Sequence, residues 1–291
     1  MASIAQWISG ARPRTLPAAV APVLAGTGAA LALADPRPGR AALALVVALA
    51  LQVGVNYAND YSDGVRGTDA ERVGPFRLTG SGAARPDHVR AAALLAFGVA
   101  GLAGLVLVAV SGAWWLLAVG AACLPAAWYY TGGDKPYGYL GLGEVMVFVF
   151  FGLVATVGTT YVIADAAPLH SWLAGAAVGA LASGILVANN LRDIPTDEIA
   201  GKMTLPVRLG DRNTRFFYAA RAVLAVICVI GFAALTTWWA LIALLGGALL
   251  VEPLRRVLGG ANGRGLIPVI QSTGFAEIGI GLGLLVGTYL A

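Results

Sequence analysis

The chain has few charged residues and almost no histidine or cysteine. Asp, Glu, Lys and Arg make up 12% of its 291 residues, about half the share of a typical soluble domain. The two histidines, His88 and His170, stand far apart, which argues against a histidine-based metal site or catalytic triad. Cys123 and Cys228 both lie inside apolar runs, so we interpret them as packing residues rather than as a disulfide or metal site.

Apolar residues instead make up 58% of the chain, and they form runs of about 20 residues from end to end. Such runs predict an all-α polytopic membrane protein, because helices satisfy their own backbone polar groups in lipid. We predict one membrane domain, residues 1–291, with nine transmembrane helices at about 16–34, 41–59, 89–110, 113–130, 142–163, 172–191, 216–235, 238–251 and 266–290. The predicted motif-bearing loops are 60–88, 131–141 and 192–215.

The basic residues lie almost entirely on one side of these predicted spans. All Lys and Arg except Arg37 and Arg40 fall on the side that holds the N-terminus. The positive-inside rule places that side in the cytoplasm. With nine spans, the C-terminus would then lie outside.

Two acidic motifs stand at the predicted cytoplasmic ends of spans two and six. Asn59 and Asp63 belong to the first motif, and Asn189 and Asp193 to the second. A spacing of four residues puts both side chains of each pair on one helix face. The motifs lie 130 residues and four spans apart, which indicates two four-helix repeats plus a ninth helix. Further acids in or beside the motifs are Asp60, Asp69 and Asp197.

Two facing carboxylate clusters repel each other unless a positive charge lies between them. Mg²⁺ takes oxygen ligands, commonly one or two carboxylates together with substrate phosphates. Basic side chains that suit a phosphate are present on the same side: Arg72, Arg77, Lys135, Lys202 and Arg208. Each of these basic residues, taken alone, is also explained by the positive-inside rule. The motif acids, taken alone, are also explained as solvated residues at helix ends. Together they favour a Mg²⁺–diphosphate site at the cytoplasmic mouth.

The two motifs in this setting resemble those of the intramembrane prenyltransferases of the UbiA superfamily. The stretches 7–16, 67–69, 74–81, 130–141 and 201–210 resemble in particular its MenA branch, the 1,4-dihydroxy-2-naphthoate polyprenyltransferases. The superfamily pattern has an Asp eight residues after its first Asn. Here that place is Gly67, and Asp69 is displaced by two residues. This leaves open whether Asp60 or Asp69 completes the first metal site.

The resemblance implies Mg²⁺-dependent transfer of a polyprenyl group from polyprenyl diphosphate to 1,4-dihydroxy-2-naphthoate. Pyrophosphate and carbon dioxide would be lost, giving demethylmenaquinol for menaquinone biosynthesis. The implied metal ligands are Asn59, Asp60, Asp63, Asp69, Asn189, Asp193 and Asp197. The implied catalytic residues are Asp63, Asp193 and Lys135, and the implied diphosphate contacts are Lys135, Lys202, Arg208, Arg72 and Arg77. The implied location is the bilayer of the bacterial cell (inner) membrane, and no nucleic-acid partner is expected.

Four further residues are candidates for contact with the aromatic substrate or the prenyl cation. Tyr61 and Tyr130 have the chemistry for cation–π stabilisation, although an interfacial aromatic belt explains them equally well. Glu277, inside an apolar span, is expected to face a cavity. Arg12 either meets a substrate carboxylate or anchors the first span at the membrane surface. Glu144 is a second acid in an apolar setting without an obvious partner.

Two other functions fit parts of this pattern. The first is a UbiA-type prenyltransferase with another acceptor, such as 4-hydroxybenzoate, homogentisate or haem, because the shape of the pocket determines acceptor choice. The second is a cation-coupled secondary transporter with an acidic site between repeats. The motif acids stand at span ends rather than at the membrane midplane, which argues against the transporter.

Overall fold

The structure is a computed structural model that describes residues 2–67 and 76–291. Within those residues the regular secondary structure is helical, and its α-helices are α1 Ile4–Gly10, α2 Pro17–Leu31, α3 Pro38–Arg66, α4 Pro86–Ser111, α5 Leu116–Tyr129, α6 Gly143–Val147, α7 Ala155–Ala164, α8 Leu169–Ile199, α9 Leu205–Leu235, α10 Leu244–Gly247, α11 Val251–Leu258 and α12 Ile267–Tyr289. The prediction of an all-α protein is confirmed for the described residues.

Six helical segments of the described chain are long and apolar enough to cross a membrane: Pro38–Arg66, Pro86–Ser111, Gly143–Ala164, Leu169–Ile199, Leu205–Leu235 and Gly263–Tyr289. Helices α2 and α5 are shorter and apolar. The predicted span 238–251 is a series of short pieces, in which 3-10 turns at Trp238–Ala243 and Ala248–Leu250 alternate with α10 and α11. The chain is therefore a multi-pass membrane protein, and the count of nine crossings stays a prediction.

The helices that carry the acidic motifs extend well beyond the predicted spans. Helix α3 continues to Arg66 and ends at Gly67, whose φ of 73° is a left-handed conformation that favours glycine. Helix α8 continues to Ile199, and α9 begins at Leu205, although Gly210 interrupts it with a φ of 75°. Most of the predicted loop 192–215 is thus helical, as is the start of the loop 60–88. The motif side chains therefore stand on rigid helices.

Helix α8 lies at the centre of the bundle and contacts α9, α12 and α2. The core at these contacts contains many alanines together with larger residues such as Leu181, Phe232 and Ile280. Small residues let helices approach closely, which is how helices associate in lipid. This packing holds the end of α8, with its acidic motif, in a defined position.

A π-helical segment, Phe148–Val154, joins α6 to α7 and packs against α8. At the contact, a Cβ atom added to Gly152 would lie 2.5 Å from the Cα atom of Gly179, so only glycine fits there. Such π-helical turns are frequent at functional sites. Here Phe150 and Phe151 of this segment line a large cavity, described below.

Arg40, near the start of α3, joins three helices at one end of the bundle. Its guanidinium donates hydrogen bonds to the carbonyl oxygens of Val110 in α4, at 2.7 Å, and Val162 in α7, at 2.8 Å. The bond to Val162 is part-buried and the bond to Val110 is exposed, so together they contribute on the order of 1–3 kcal/mol. We expect Arg40→Ala to lower the thermal transition of the purified protein in detergent by several degrees.

Arg37→Ala is the matched control for this prediction. Arg37 makes an exposed ion pair with Asp165 at 3.3 Å, and exposed pairs contribute little. Equal thermal shifts for the two variants would contradict the role given to Arg40.

Candidate functional site

One cavity of about 1020 Å³ lies within the bundle, and α2, α3, α4, α5, α7 and α8 all contribute to its wall. Most of the wall is apolar, with residues such as Val23, Leu107, Leu116, Phe150 and Val162. Its polar residues include Arg12, Gln52, Asn56, Asn59, Asp63, Arg77, Asn189, Asn190, Arg192, Asp197 and Lys202. A wall of this composition suits an amphiphile with a charged head and a hydrocarbon tail.

Asp63 is the centre of a buried charge cluster at the polar part of the cavity. Only 3% of this residue is exposed. Its carboxylate accepts a hydrogen bond from the hydroxyl of Tyr139 at 2.5 Å, and it lies 3.4 Å from Arg77 and 3.9 Å from Lys202. Lys202 also stands 4.6 Å from the ring centre of Tyr139. A buried carboxylate needs such partners because its desolvation is costly.

Asp193 is held by its neighbour in the second motif. Arg192 binds both of its carboxylate oxygens, at 2.6 and 2.7 Å, and both residues are buried. Arg192 and Asp197 line the cavity together with Asn189. Arg192 was predicted only as a membrane-orienting charge, although its position inside the motif was a signal for a site residue.

Glu144, at the start of α6, has a partner in Asn190 of the second motif. The Nδ2 atom of Asn190 donates to the Glu144 carboxylate at 2.9 Å, and only 2% of Glu144 is exposed. A carboxylate accepts but does not donate, so the Asn190 amide must turn its nitrogen towards it. The Oδ1 atom of Asn190, a cavity-lining residue, is thereby directed away from Glu144.

Asp60, one of the two candidates to complete the first metal site, lies away from the cavity wall. It is fully buried, and its two carboxylate oxygens accept hydrogen bonds from the backbone N–H groups of Leu78 at 2.7 Å and Thr79 at 2.9 Å. This geometry favours an anchor for the chain segment around Leu78 over a metal ligand. The predicted site residues Asp69 and Arg72 lie outside the described residues.

Four other predicted site residues lie away from the cavity wall. Lys135 and Arg208 are exposed, and Arg208 donates to the carbonyl oxygen of Met203 at 3.1 Å. Tyr61 packs against Trp128, with ring centres 6.2 Å apart. Glu277 is fully buried inside the bundle rather than facing the cavity, which corrects the prediction made for it. Spacing along the chain did not show on which side of a packed helix Tyr61, Arg208 and Glu277 would lie, nor where the loop that carries Lys135 would run.

Tyr130 and Arg12 line the cavity, and their predicted contact with the aromatic substrate or the prenyl cation stays a prediction. The Tyr130 ring meets that of Tyr137 edge-on, with ring centres 5.5 Å apart. Burial raises the pKa of Tyr137 to about 12, so this phenol stays neutral near pH 7. Its hydroxyl donates to the carbonyl oxygen of Ala126 at 2.7 Å. The aromatic pair therefore gives the polar part of the cavity an uncharged wall.

The residues at the polar part of the cavity suit a hard divalent cation. Asn59, Asp63, Asn189 and Asp197 all border it, and they offer amide and carboxylate oxygens, which are ligands that Mg²⁺ accepts. No cluster of three or more His, Cys, Asp or Glu side chains arranged for a metal occurs in residues 2–67 and 76–291. The residues present therefore fit an ion that takes part of its coordination from a bound phosphate or from water.

Fold and cavity together define a multi-pass helical membrane protein with a large cavity that joins a charged cluster to an apolar wall. The family model described as the UbiA prenyltransferase family matches residues 19–263. The 1,4-dihydroxy-2-naphthoate octaprenyltransferase of Mycobacterium tuberculosis is 55% identical over 279 residues, which cover 96% of this chain and 94% of that protein. The chain belongs to the UbiA prenyltransferase family.

Solved structures show the same fold. An apo UbiA homolog from Aeropyrum pernix K1 superposes with a TM-score of 0.71 at 19% identity, covering 92% of this chain and 97% of that one. A UbiA homolog from Archaeoglobus fulgidus bound to GPP and Mg²⁺ gives a TM-score of 0.62 at 14% identity, covering 97% and 99%. Membership in the family removes the transporter as an interpretation of the acidic motifs.

The contact between Glu144 and Asn190 yields a test. Glu144→Leu removes the partner of Asn190, which is next to the proposed ligand Asn189, so Mg²⁺ binding in the presence of a prenyl diphosphate should weaken about ten-fold, as for other residues that support a metal site from behind its ligands. Glu144→Gln keeps an oxygen that accepts the same hydrogen bond and should bind Mg²⁺ nearly as the parent chain does. Calorimetry measures both affinities. An identical loss of Mg²⁺ affinity in the two variants would contradict the role of Glu144 in orienting Asn190.

Proposed function

We propose that this protein transfers a polyprenyl group from polyprenyl diphosphate to 1,4-dihydroxy-2-naphthoate, in a Mg²⁺-dependent reaction that releases pyrophosphate and carbon dioxide. The product is demethylmenaquinol, an intermediate of menaquinone biosynthesis. The observation that carries the proposal is the large cavity, in which a cluster of acids, amides and cations continues into a long apolar wall. The name of the M. tuberculosis relative supports the choice of acceptor.

The diphosphate head lies at the charged part of the cavity. Asn59, Asp63, Asn189 and Asp197 are the cavity-lining residues that would hold Mg²⁺ there. Asp193, whose two carboxylate oxygens are bound by Arg192, is not among the lining residues and stays a predicted ligand. Bound Mg²⁺ supplies Lewis-acid neutralisation of the diphosphate charge. The A. fulgidus homolog was solved with both GPP and Mg²⁺ bound, which supports this cofactor.

The cations beside these acids bind the leaving group. Arg77 and Lys202 already lie 3.4 and 3.9 Å from Asp63, so a diphosphate at the same place has two donors for its oxygens. Charge that develops on the leaving pyrophosphate is thereby stabilised in a site with little water. Lys135 and Arg208 are left out of this site because they are exposed. Asp69 and Arg72 stay predictions outside the described residues.

The apolar wall holds the isoprenoid tail, and aromatic rings border the reacting end. Tyr130 and Tyr139 line the cavity, and the hydroxyl of Tyr139 contacts Asp63. Their ring faces attract the positive charge that forms on the prenyl group as its C–O bond breaks. The cation is then captured by the electron-rich ring of the acceptor.

We also propose nine membrane crossings within one domain, arranged as two four-helix repeats and a ninth helix, with the N-terminus in the cytoplasm. The distribution of Lys and Arg supports this orientation. Helix α3 and helix α8, each with an acidic motif at its C-terminal end, are of similar length and support the repeat.

Cysteine labelling in cells tests this topology. In a chain with Cys123 and Cys228 replaced by Ala, we expect Ala167→Cys to react with a membrane-impermeant maleimide added outside. Asp134→Cys, which is exposed on the opposite side, should react only after the membrane is opened. Labelling of both positions from the same side would refute the orientation.

A transfer assay with purified protein tests the reaction. With one polyprenyl diphosphate and a panel of aromatic acids, we expect prenylation and decarboxylation of 1,4-dihydroxy-2-naphthoate that depend on Mg²⁺. Asp63→Asn and Asp197→Asn keep the side-chain shape and remove the charge, so each should lower the rate at least about 100-fold.

Asp87→Asn is the control in this assay, because Asp87 is exposed and pairs only loosely with Arg85, at 3.9 Å. Its rate should stay close to that of the parent chain. Full activity in both Asp63→Asn and Asp197→Asn, or prenylation of 4-hydroxybenzoate alone, would overturn the proposed function.

A further inference from the structure

One amide in the cavity wall has an oxygen that the protein does not use. Gln52 lies on α3, lines the cavity and is only 6% exposed. Its Oε1 atom is buried and has no hydrogen-bond partner in the part of the chain that the structure describes. Buried amide oxygens are nearly always hydrogen-bonded, so this exception calls for an explanation.

The neighbours of Gln52 determine which way its amide points. The hydroxyl of Thr15 donates its one proton to the carbonyl oxygen of Arg12 at 2.9 Å. It can therefore only accept from the Nε2 atom of Gln52 and the Nδ2 atom of Asn56, which both lie at 2.9 Å. Both amides must turn their nitrogen towards Thr15. The Oε1 atom of Gln52 is consequently turned away from this network.

The remaining donors of the two amides are also used. Asn56 donates to the carbonyl oxygen of Ala11 at 2.8 Å, and Gln52 donates to the Oδ1 atom of Asn56 at 3.4 Å. The same bonds hold the turn at Arg12, whose φ of 53° is unfavourable for a residue with a side chain. Strained backbone of this kind is characteristic of binding sites, where surrounding contacts maintain it. The network therefore presents Gln52 in one orientation before any ligand binds.

The distance between Gln52 and the charged part of the cavity also suits an aromatic acceptor that lies between them. It precedes Asn59 by seven residues, which is about two helical turns, so both side chains lie on one face of α3 and about 10 Å apart along its axis. A ring carbon must approach the reacting prenyl carbon to about 3–3.5 Å. A bicyclic aromatic acid placed next to a prenyl diphosphate at Asn59 and Asp63 then extends towards Gln52.

We propose that the Oε1 atom of Gln52 accepts a hydrogen bond from the 4-hydroxyl of the dihydroxynaphthoate, which makes Gln52 a determinant of acceptor specificity. This inference rests on the proposed function. The 1-hydroxyl is adjacent to the carboxylate and bonds to it internally, so the 4-hydroxyl is the free donor. A site built for a hydroxyl rejects an analogue without it, because its own polar group then stays unpaired.

Binding of two ligands to the full chain tests this proposal. Calorimetry under reducing conditions compares 1,4-dihydroxy-2-naphthoate with 1-hydroxy-2-naphthoate, in the presence of Mg²⁺ and a prenyl S-thiolodiphosphate that occupies the site without reacting. We expect the parent chain to bind the dihydroxy compound at least about ten-fold more tightly, the effect of one hydrogen bond. Gln52→Met keeps the length of the side chain, removes the amide, and should bring this ratio close to one.

Gln271→Met is the matched control, since Gln271 is a second glutamine in the cavity wall and lies outside the network of Thr15. Its ratio should equal that of the parent chain. Unchanged affinity of Gln52→Met for 1-hydroxy-2-naphthoate shows that its pocket is intact. A parent-like ratio in Gln52→Met, or no preference in the parent chain, overturns the role of Gln52. If neither naphthoate binds while 4-hydroxybenzoate does, the proposed function itself fails.

Discussion

The site depends on a carboxylate that is buried at the end of an apolar bundle. Asp63 cannot remain charged there without partners, and its partners come from separate parts of the chain: Tyr139 from the connection after α5, Arg77 from the segment before α4, and Lys202 from the turn between α8 and α9. Each of these segments places one charged or polar side chain against the carboxylate of Asp63. The cost of burying one acid thus brings the cations of a diphosphate site together before any substrate is present.

The length of two helices explains how the acids reach that position. Helices α3 and α8 continue past their apolar stretches, to Arg66 and Ile199, and so carry the motifs on regular helix rather than on loops. Side chains on a helix have fewer ways to move, and a metal or phosphate site gains precision from that rigidity. Packing of α8 at the centre of the bundle fixes the second motif relative to the first.

Hydrogen bonds behind the cavity wall give the polar side chains their direction. Glu144 turns the Asn190 amide, and Thr15 turns the amides of Gln52 and Asn56. Because carboxylates only accept and a hydroxyl has one proton, the orientation of each amide follows from its neighbour. The cavity wall therefore presents oxygens and cations in fixed orientations before a ligand binds.

The sequence by itself determined the class of the protein, because long apolar runs in lipid have to be helical and because acids at helical spacing beside membrane spans mark a functional site. Asn59, Asp63 and Asn189 were predicted from that spacing and border one cavity together with Asp197. Asp193, the fourth residue of that pattern, is bound by Arg192 and does not line the cavity. Only the tertiary structure decided which other charges join them. Lys135 and Lys202 look alike in sequence, yet the first is exposed and the second contacts Asp63. Asp60, one residue from Asn59, faces backbone amides instead of the cavity. For Asn59 and Asp60 the reason is that neighbouring positions on a helix point in directions about 100° apart, and the packing of the surrounding helices determines which direction leads into the cavity. For the two lysines, which lie in connections between helices, the path of each connection over the packed bundle decides.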